Sequence, residues 1–239
     1  MFHPIGRNRL QLGFLFDMIT GFSQIIIDVP ELQAAKSEYQ CLLGPFEGNG
    51  LPLRNVEIAL RATGRAPAPQ VAALSLFDDG QARASSPIDG EQWRGLDLVI
   101  VSERKVAPAA NTATGICAVD HVVLMTNDAD ACIRLFGEDG FGMRLALDQL
   151  VPEWGGRMLF FRCGKMTLEV IHNLDDPPPQ DFFWGITYLC ENLDVSLDSL
   201  DRAGVAHSSI RDGRKPGTRV ATVKSHNLGL PTLLIEPAV

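Results

Sequence analysis

The sequence predicts an α+β fold of tandem strand–helix–strand–strand–strand modules in two halves, the first half partly degenerate. Two observations carry this. A strand-then-helix phrase occurs twice: FSQIIIDVPELQAAKSEYQCLLG from Phe22 to Gly44, and VDHVVLMTNDADACIRLFGEDGFG from Val119 to Gly142. Each copy is followed by a strand with a central carboxylate, RNVEIAL with Glu57 and KMTLEVI with Glu169, and Gln24 and His121 hold the same place in the two opening strands.

The second half is the clearer. In the strand at 119–126, His121, Val123 and Met125 share one face and Val122 and Leu124 the other. Asn127 or Asp128 can cap a helix over 128–137 with Ala129, Cys132, Ile133 and Phe136 inward. Strands are expected at about 143–149, 157–163 and 166–172, and PPP at 177–179 then punctuates the chain. The pattern begins again with a strand at 184–192, a helix at 193–204 ending at Gly204, and strand-like runs at 205–210, 219–224 and 231–236. In the first half, residues 22–62 form one unit, while 71–79 and 94–103 read as the first and last strands of a second. The helix of that second unit is replaced by the polar stretch GQARASSPIDGEQ. VAPAANTATG, of small residues without periodicity, reads as a linker. The expected division is 20–104, a linker at 105–116, and 117–239.

The 239 residues are 46% hydrophobic and 21% charged, an ordinary globular balance. A net charge of -8 without a basic run argues against nucleic acid or an anionic membrane as the main partner. The five cysteines are scattered without metal spacing, so reduced thiols in the cytoplasm are expected. No signal peptide or transmembrane run is read at the N-terminus.

The phrases DHVVLMTNDADACIRLF, RMLFFRCGKMTLEV, WGITYLCENLDVSLDSLDRAGV and GTRVATVKSHNLGLPTLLIEP resemble the vicinal oxygen chelate superfamily. That superfamily holds glyoxalase I, methylmalonyl-CoA epimerase, extradiol dioxygenases and the fosfomycin and bleomycin resistance proteins. The resemblance covers about 118–237 well and 22–103 loosely. It implies two glyoxalase-like domains, each of paired βαβββ modules curled into a cup that can hold a divalent metal. The alternation agrees: in MTLEVI, Glu169 lies opposite Leu168 and Val170, and in RNVEIAL, Glu57 lies opposite Val56 and Ile58.

By that resemblance His121 and Glu169 are the metal ligands of the second half, with Gln24 and Glu57 as weaker counterparts in the first. The other two positions of each site depart from the pattern, with Gly185 and Leu233 in the second half and Ala72 and Val99 in the first. Two ligands plus waters would hold Zn, Ni, Mn, Co or Fe only weakly, and no metal is expected if the site is degenerate. A polar residue satisfied by its neighbours is the plainer alternative for each. His207 or His226 could complete a site under another register, and Glu236 reads as a surface group.

The loop RDGRKPGTR gathers Arg211, Arg214, Lys215 and Arg219 and is expected either to be solvated or to clamp an anionic substrate group. Trp154, Phe160, Phe161, Phe182, Phe183 and Trp184 are pocket or core residues. The expected function is a metal-assisted glyoxalase or isomerase-type enzyme on a small carbonyl or vicinal-oxygen substrate, with Glu169 as ligand or general base. Whether it is an enzyme at all stays open. An extradiol-type dioxygenase and a metal-free small-molecule binding protein of the resistance type are the alternatives. Small molecules, and at most a second copy of the chain, are the expected partners.

Overall fold

The computed structural model describes residues 19–64, 67–78, 93–102 and 113–238. The polar stretch at 80–92 and most of the expected linker at 105–116 lie outside them, as does the segment before Ile19.

The first half contains β1 (Ile19–Val29), α1 (Leu32–Leu43), β2 (Gly50–Pro52), β3 (Glu57–Ala62), β4 (Gln70–Asp78) and β5 (Asp97–Val101). They form a sheet of order β2-β3-β1-β4-β5. The second half contains β6 (Ile116–Met125), α2 (Ala129–Phe136), β7 (Arg144–Val151), β8 (Gly156–Cys163) and β9 (Met166–Asn173). A second unit follows: β10 (Phe182–Cys190), α3 (Leu193–Arg202), β11 (Arg211–Asp212), β12 (Arg219–Val223) and β13 (Thr232–Glu236). Together they make one eight-stranded sheet, β11-β12-β13-β10-β6-β9-β8-β7.

The order is symmetric about β10 and β6, which pair antiparallel. In each module the first strand lies parallel to the last, as in β6 with β9 and β10 with β13. β1 and β4 repeat the antiparallel junction in the first half. Modules therefore pair within each half.

Local sequence explains the helices. The Asp128 carboxylate accepts from the Ala131 N–H at 2.9 Å, and Asn192 Oδ1 accepts from the Val195 N–H at 3.1 Å, each supplying one orphan donor of a first turn. Glu31 does the same for Gln33 and Ala34 at the start of α1. One face of each strand then packs on these helices. Val122, Leu124, Leu168, Val170 and Leu234 are fully buried, each worth about 1.5–3 kcal/mol by removal from water. The opposite face is left for the cup.

One expected strand did not form. Residues 205–210 make only an isolated bridge, His207 to Val223. Main-chain bonds run from the Ser208 N–H to Thr222 and from the Lys224 N–H to Ala206, but the Ala206 N–H donates to the Ser225 hydroxyl and the Thr222 N–H to the Ser208 hydroxyl, so side chains take part of the ladder.

The two halves share one apolar core. Tyr39 of α1 and Tyr188 of β10 are both fully buried, and Trp93 stacks on Phe141 with centroids 4.8 Å apart. Polar locks flank this core. Arg94 donates to both carboxylate oxygens of Asp181, at 2.5 and 3.0 Å, and the Leu228 N–H donates to Glu38 at 2.8 Å.

Candidate functional site

His121 sits mid-sheet, in a row that can be followed strand by strand. It pairs with Thr187 of β10 on one side and with Thr167 of β9 on the other. The row continues to Arg162 of β8 and Arg144 of β7. The next row on the same face is Gly185, Val123, Glu169, Phe160 and Leu147. Glu169 is thus one row along and one strand over from His121, and the two side chains meet: His121 Nε2 and Glu169 Oε2 are 3.0 Å apart.

The other ring nitrogen of His121, Nδ1, lies 2.8 Å from Asp120 Oδ2. Alternation alone would send Asp120 to the opposite face from His121. The pairing skips it, however: Thr187 faces His121 while Tyr188 faces Val119. Asp120 is the extra residue of a β-bulge, a device that re-aims a side chain. Burial pushes the His121 imidazole down, but the hydrogen bonds and charges of Asp120 and Glu169 outweigh it and bring its pKa up to about 9. Burial likewise raises the Asp120 carboxyl, yet His121, Arg162 and Lys215 together leave it below the usual carboxylate value. At neutral pH the cup floor therefore holds an imidazolium between two carboxylates.

Does this set fit a divalent metal? The offset that carries Asp128 to Asn192 carries His121 to Gly185 and Glu169 to Leu233, and the register agrees, Val122–Leu168 matching Ile186–Thr232. Those two positions supply no donor. A Cβ on Gly185 would meet the Pro231 carbonyl oxygen at 2.5 Å, so the backbone there is packed for glycine. His207 is committed to Asp201 at 3.0 Å and His226 to the Ser225 hydroxyl at 2.9 Å, and neither joins the pair. Glu236 turns to the helix side, where it accepts from the Leu193 N–H and from Arg219. Among the described residues no group of three or more His, Cys, Asp or Glu side chains could hold a metal ion. Catalytic zinc takes three protein ligands and mononuclear iron a two-His-one-carboxylate set. Two donors, already bonded to each other, do not fit a resident metal.

The first half repeats the arrangement. Gln24 pairs with Glu57 in parallel register, and the Gln24 amide donates to the Glu57 carboxylate. Glu57 lies over Gly50, where a Cβ would come within 2.8 Å of it. Across the junction Gln24 faces Ser75, and Ser75 neighbours Val99. A register shift in β4 makes Ala73, not Ala72, the counterpart of Gly185. Gln24 and Glu57 bond to each other, and among the described residues they belong to no group of three or more His, Cys, Asp or Glu side chains that could hold a metal ion.

The basic loop divides. Arg219 pairs with Glu236 and Asp194, both at 2.8 Å, on the helix side. Arg211 pairs in register with Val220 and, through it, with Ile235 on the cup face. Arg214 reaches across the sheet, its Nη1 lying 3.6 Å from the Met158 sulfur of β8. The Lys215 charge is felt by Asp120.

The aromatics divide too. Phe161 and Phe183 are core residues, and Phe160 stands beside Glu169 on the cup face. Phe182 and Trp184 are 41% and 45% exposed, and Trp184 is the extra residue of a second bulge, between Phe183 and Gly185.

A family model described as Glyoxalase/Bleomycin resistance protein/Dioxygenase superfamily matches residues 120–222. No curated protein matches the chain in sequence. Among solved structures, a mutant of 4-hydroxymandelate synthase from Streptomyces coelicolor is 14% identical, with a TM-score of 0.66 over 91% of this chain and 92% of that one. Methylmalonyl-CoA epimerase from Mycobacterium tuberculosis is 19% identical, with a TM-score of 0.44 over 52% of this chain and 91% of its own. The 4-hydroxymandelate synthase likeness spans both halves and shows their common architecture. With the match at 120–222 and the paired βαβββ modules, the second half of the chain is similar to the glyoxalase/bleomycin resistance/dioxygenase, or vicinal oxygen chelate, superfamily, and the whole chain shares the two-half fold of 4-hydroxymandelate synthase.

Proposed function

We propose that the C-terminal cup catalyses a proton transfer of the isomerase or lyase type on a small anionic carbonyl compound. The observation that carries this is the Asp120–His121–Glu169 array, with its 2.8 and 3.0 Å contacts, on the floor of the cup. In this reading Glu169 takes the proton from the carbon beside the carbonyl, and the C–H electron pair moves to the oxygen as an enolate. His121 donates a hydrogen bond from Nε2 to that oxygen as its charge develops. Return of the proton to the other face, or loss of a β-leaving group, completes the reaction. An imidazolium held by two carboxylates supplies the positive charge for which the donor set provides no resident metal. Arg211, Arg214 and Lys215 would receive the anionic group of the substrate.

The test is solvent deuterium exchange at the carbon α to the reacting carbonyl, C3 of α-oxo and C2 of α-hydroxy carboxylates, over a panel of both. Exchange is expected to fall about 100-fold or more in His121→Ala and in Glu169→Gln, the size typical of a lost acid or base. Gln24→Ala is expected to leave it unchanged. Equal exchange in all four proteins would overturn the proposal.

A second reading, a metal-free binding protein, is favoured by the empty counterparts Gly185 and Leu233. It predicts a ligand that copurifies, is retained, and leaves chemically unchanged.

A further inference from the structure

Both edges of the eight-stranded sheet carry cations onto the cup face. Arg144 and Arg162 are direct cross-strand partners on the cup face of β7 and β8. Opposed like charges at that spacing destabilise a sheet. Both side chains belong to exposed residues, and neither has a carboxylate within ion-pair distance among the described residues. From the other edge, the β11–β12 turn brings Arg214 onto Met158, two residues from Phe160 and four from Arg162 along the same face of β8. Lys215 follows, and its charge and that of Arg162 act on the same carboxylate, Asp120. Neither Arg214 nor Lys215 has an ion pair among the described residues, whereas Arg54, Arg61, Arg94, Arg157 and Arg219 all do.

We propose that these cations form a phosphate-anchoring site, built by Arg144 and Arg162 from one edge of the sheet and by Arg214 and Lys215 from the other. The site rests on the reading of this cup as a ligand cavity but does not depend on the chemistry at His121. Four unneutralised cations exceed what one carboxylate balances. A phosphate group brings close to two negative charges at neutral pH and three acceptor oxygens, which suit guanidinium forks arriving from different directions. Asp120 repels an anion from the His121 end, so the anchor lies on the Arg162–Arg144 side. Arg162 stands two strands from His121 in the same row, which sets the phosphate about 10 Å from the imidazole at the usual strand spacing. The ligand is therefore a small carbonyl compound with a phosphate or diphosphate handle at that reach.

The test is calorimetric titration of the full chain at low salt with pyrophosphate, inorganic phosphate and, as a dicarboxylate control, succinate. Saturable pyrophosphate binding is expected, weakened tenfold or more in Arg162→Gln and in Arg144→Gln. Lys36→Gln, which removes a cation lying over Phe46 in the other half, should bind like the parent. Arg144→Gln should unfold at the same or a higher temperature than the parent without ligand, because it removes a repulsion. A lower unfolding temperature would show that Arg144 already serves a structural contact and would overturn the site. So would the absence of saturable pyrophosphate binding, binding indifferent to both arginine variants, or succinate binding of equal strength with the same sensitivity. Pyrophosphate binding without α-carbon exchange overturns the proton-transfer reading alone. Exchange without pyrophosphate binding overturns the phosphate site alone.

Discussion

Asn55 takes the place of a neighbouring strand for Val119. Its side-chain NH₂ donates to the Val119 carbonyl at 2.6 Å and its carbonyl oxygen accepts from the Val119 N–H at 3.0 Å. At this level β9 has not begun, since its first pair with β6 is Thr167 with His121. Without Asn55 the two backbone groups of Val119 would face no ladder on that side. The residue comes from the first half, is 3% exposed, and ends two positions before the His121 site. The less complete half thus holds the opening strand of the more complete one.

Asn55→Ala should therefore destabilise the whole chain by about 2–4 kcal/mol, the cost of leaving buried backbone groups unpaired. Asn55→Asp restores one acceptor and loses the donor, so its loss should be at least as large once the carboxylate is buried. Urea unfolding followed by far-UV circular dichroism measures both. A loss below about 0.5 kcal/mol would mean that water replaces the amide freely.

Arg94 and Asp181 make the second lock. Asp181 has no exposed side-chain surface and also accepts from the Thr126 hydroxyl at 2.8 Å. Arg94→Met should cost about 3–5 kcal/mol, because it strands a buried carboxylate. Removing both partners in Arg94→Met/Asp181→Leu should cost markedly less than the single change. A double-mutant cycle in denaturant gives the coupling, and additive losses would refute it.

Much of this architecture is legible in the sequence, because period-two alternation places Gln24, Glu57, His121 and Glu169 on the faces where they stand. The repeat also identifies Gly185 and Leu233 as vacant counterparts. What alternation cannot carry is a change of register. Asp120 reaches His121 through a bulge, and Ala73 replaces Ala72 through a register shift. The basic loop looked like one cluster, yet a single step along β12 sends Arg219 to the helix side while Val220 faces the cup. Arg162 lies in RMLFFRCGKMTLEV and Arg144 in none of the quoted phrases, and only strand pairing joins them.

Gly185 gives a sharp check on the vacant counterpart. Gly185→Ala should destabilise by about 1–3 kcal/mol, since its Cβ must displace the Pro231 carbonyl, now 2.5 Å away. Gly185→His should fare worse and should not create metal affinity, because the main-chain packing forbids the side chain. Zinc titration of Gly185→His together with a thermal melt reads both effects. Tight zinc binding by a folded Gly185→His protein would show that the strand yields.

The last prediction concerns pH. The folded pKa of His121 is raised from the ordinary 6.5 to about 9, so its pairing stabilises the native state fully below 6.5. That contribution is lost as pH rises through about 9, and at most about 3 kcal/mol is involved at the standard conversion of pKa shift to free energy. Stability should therefore fall between pH 7 and pH 10, before lysine or tyrosine titration dominates. Asp120→Asn removes one of the two carboxylates that raise the group, so the midpoint should move toward 6.5 and the fall should begin earlier. His121→Asn should abolish this part of the slope. The histidine ring signals in a ¹⁵N NMR titration locate the midpoint independently of unfolding. A midpoint at or below 6.5 in the parent protein would mean that burial, not the Asp120 and Glu169 carboxylates, governs His121, and that the imidazole floor of the cup is neutral at pH 7.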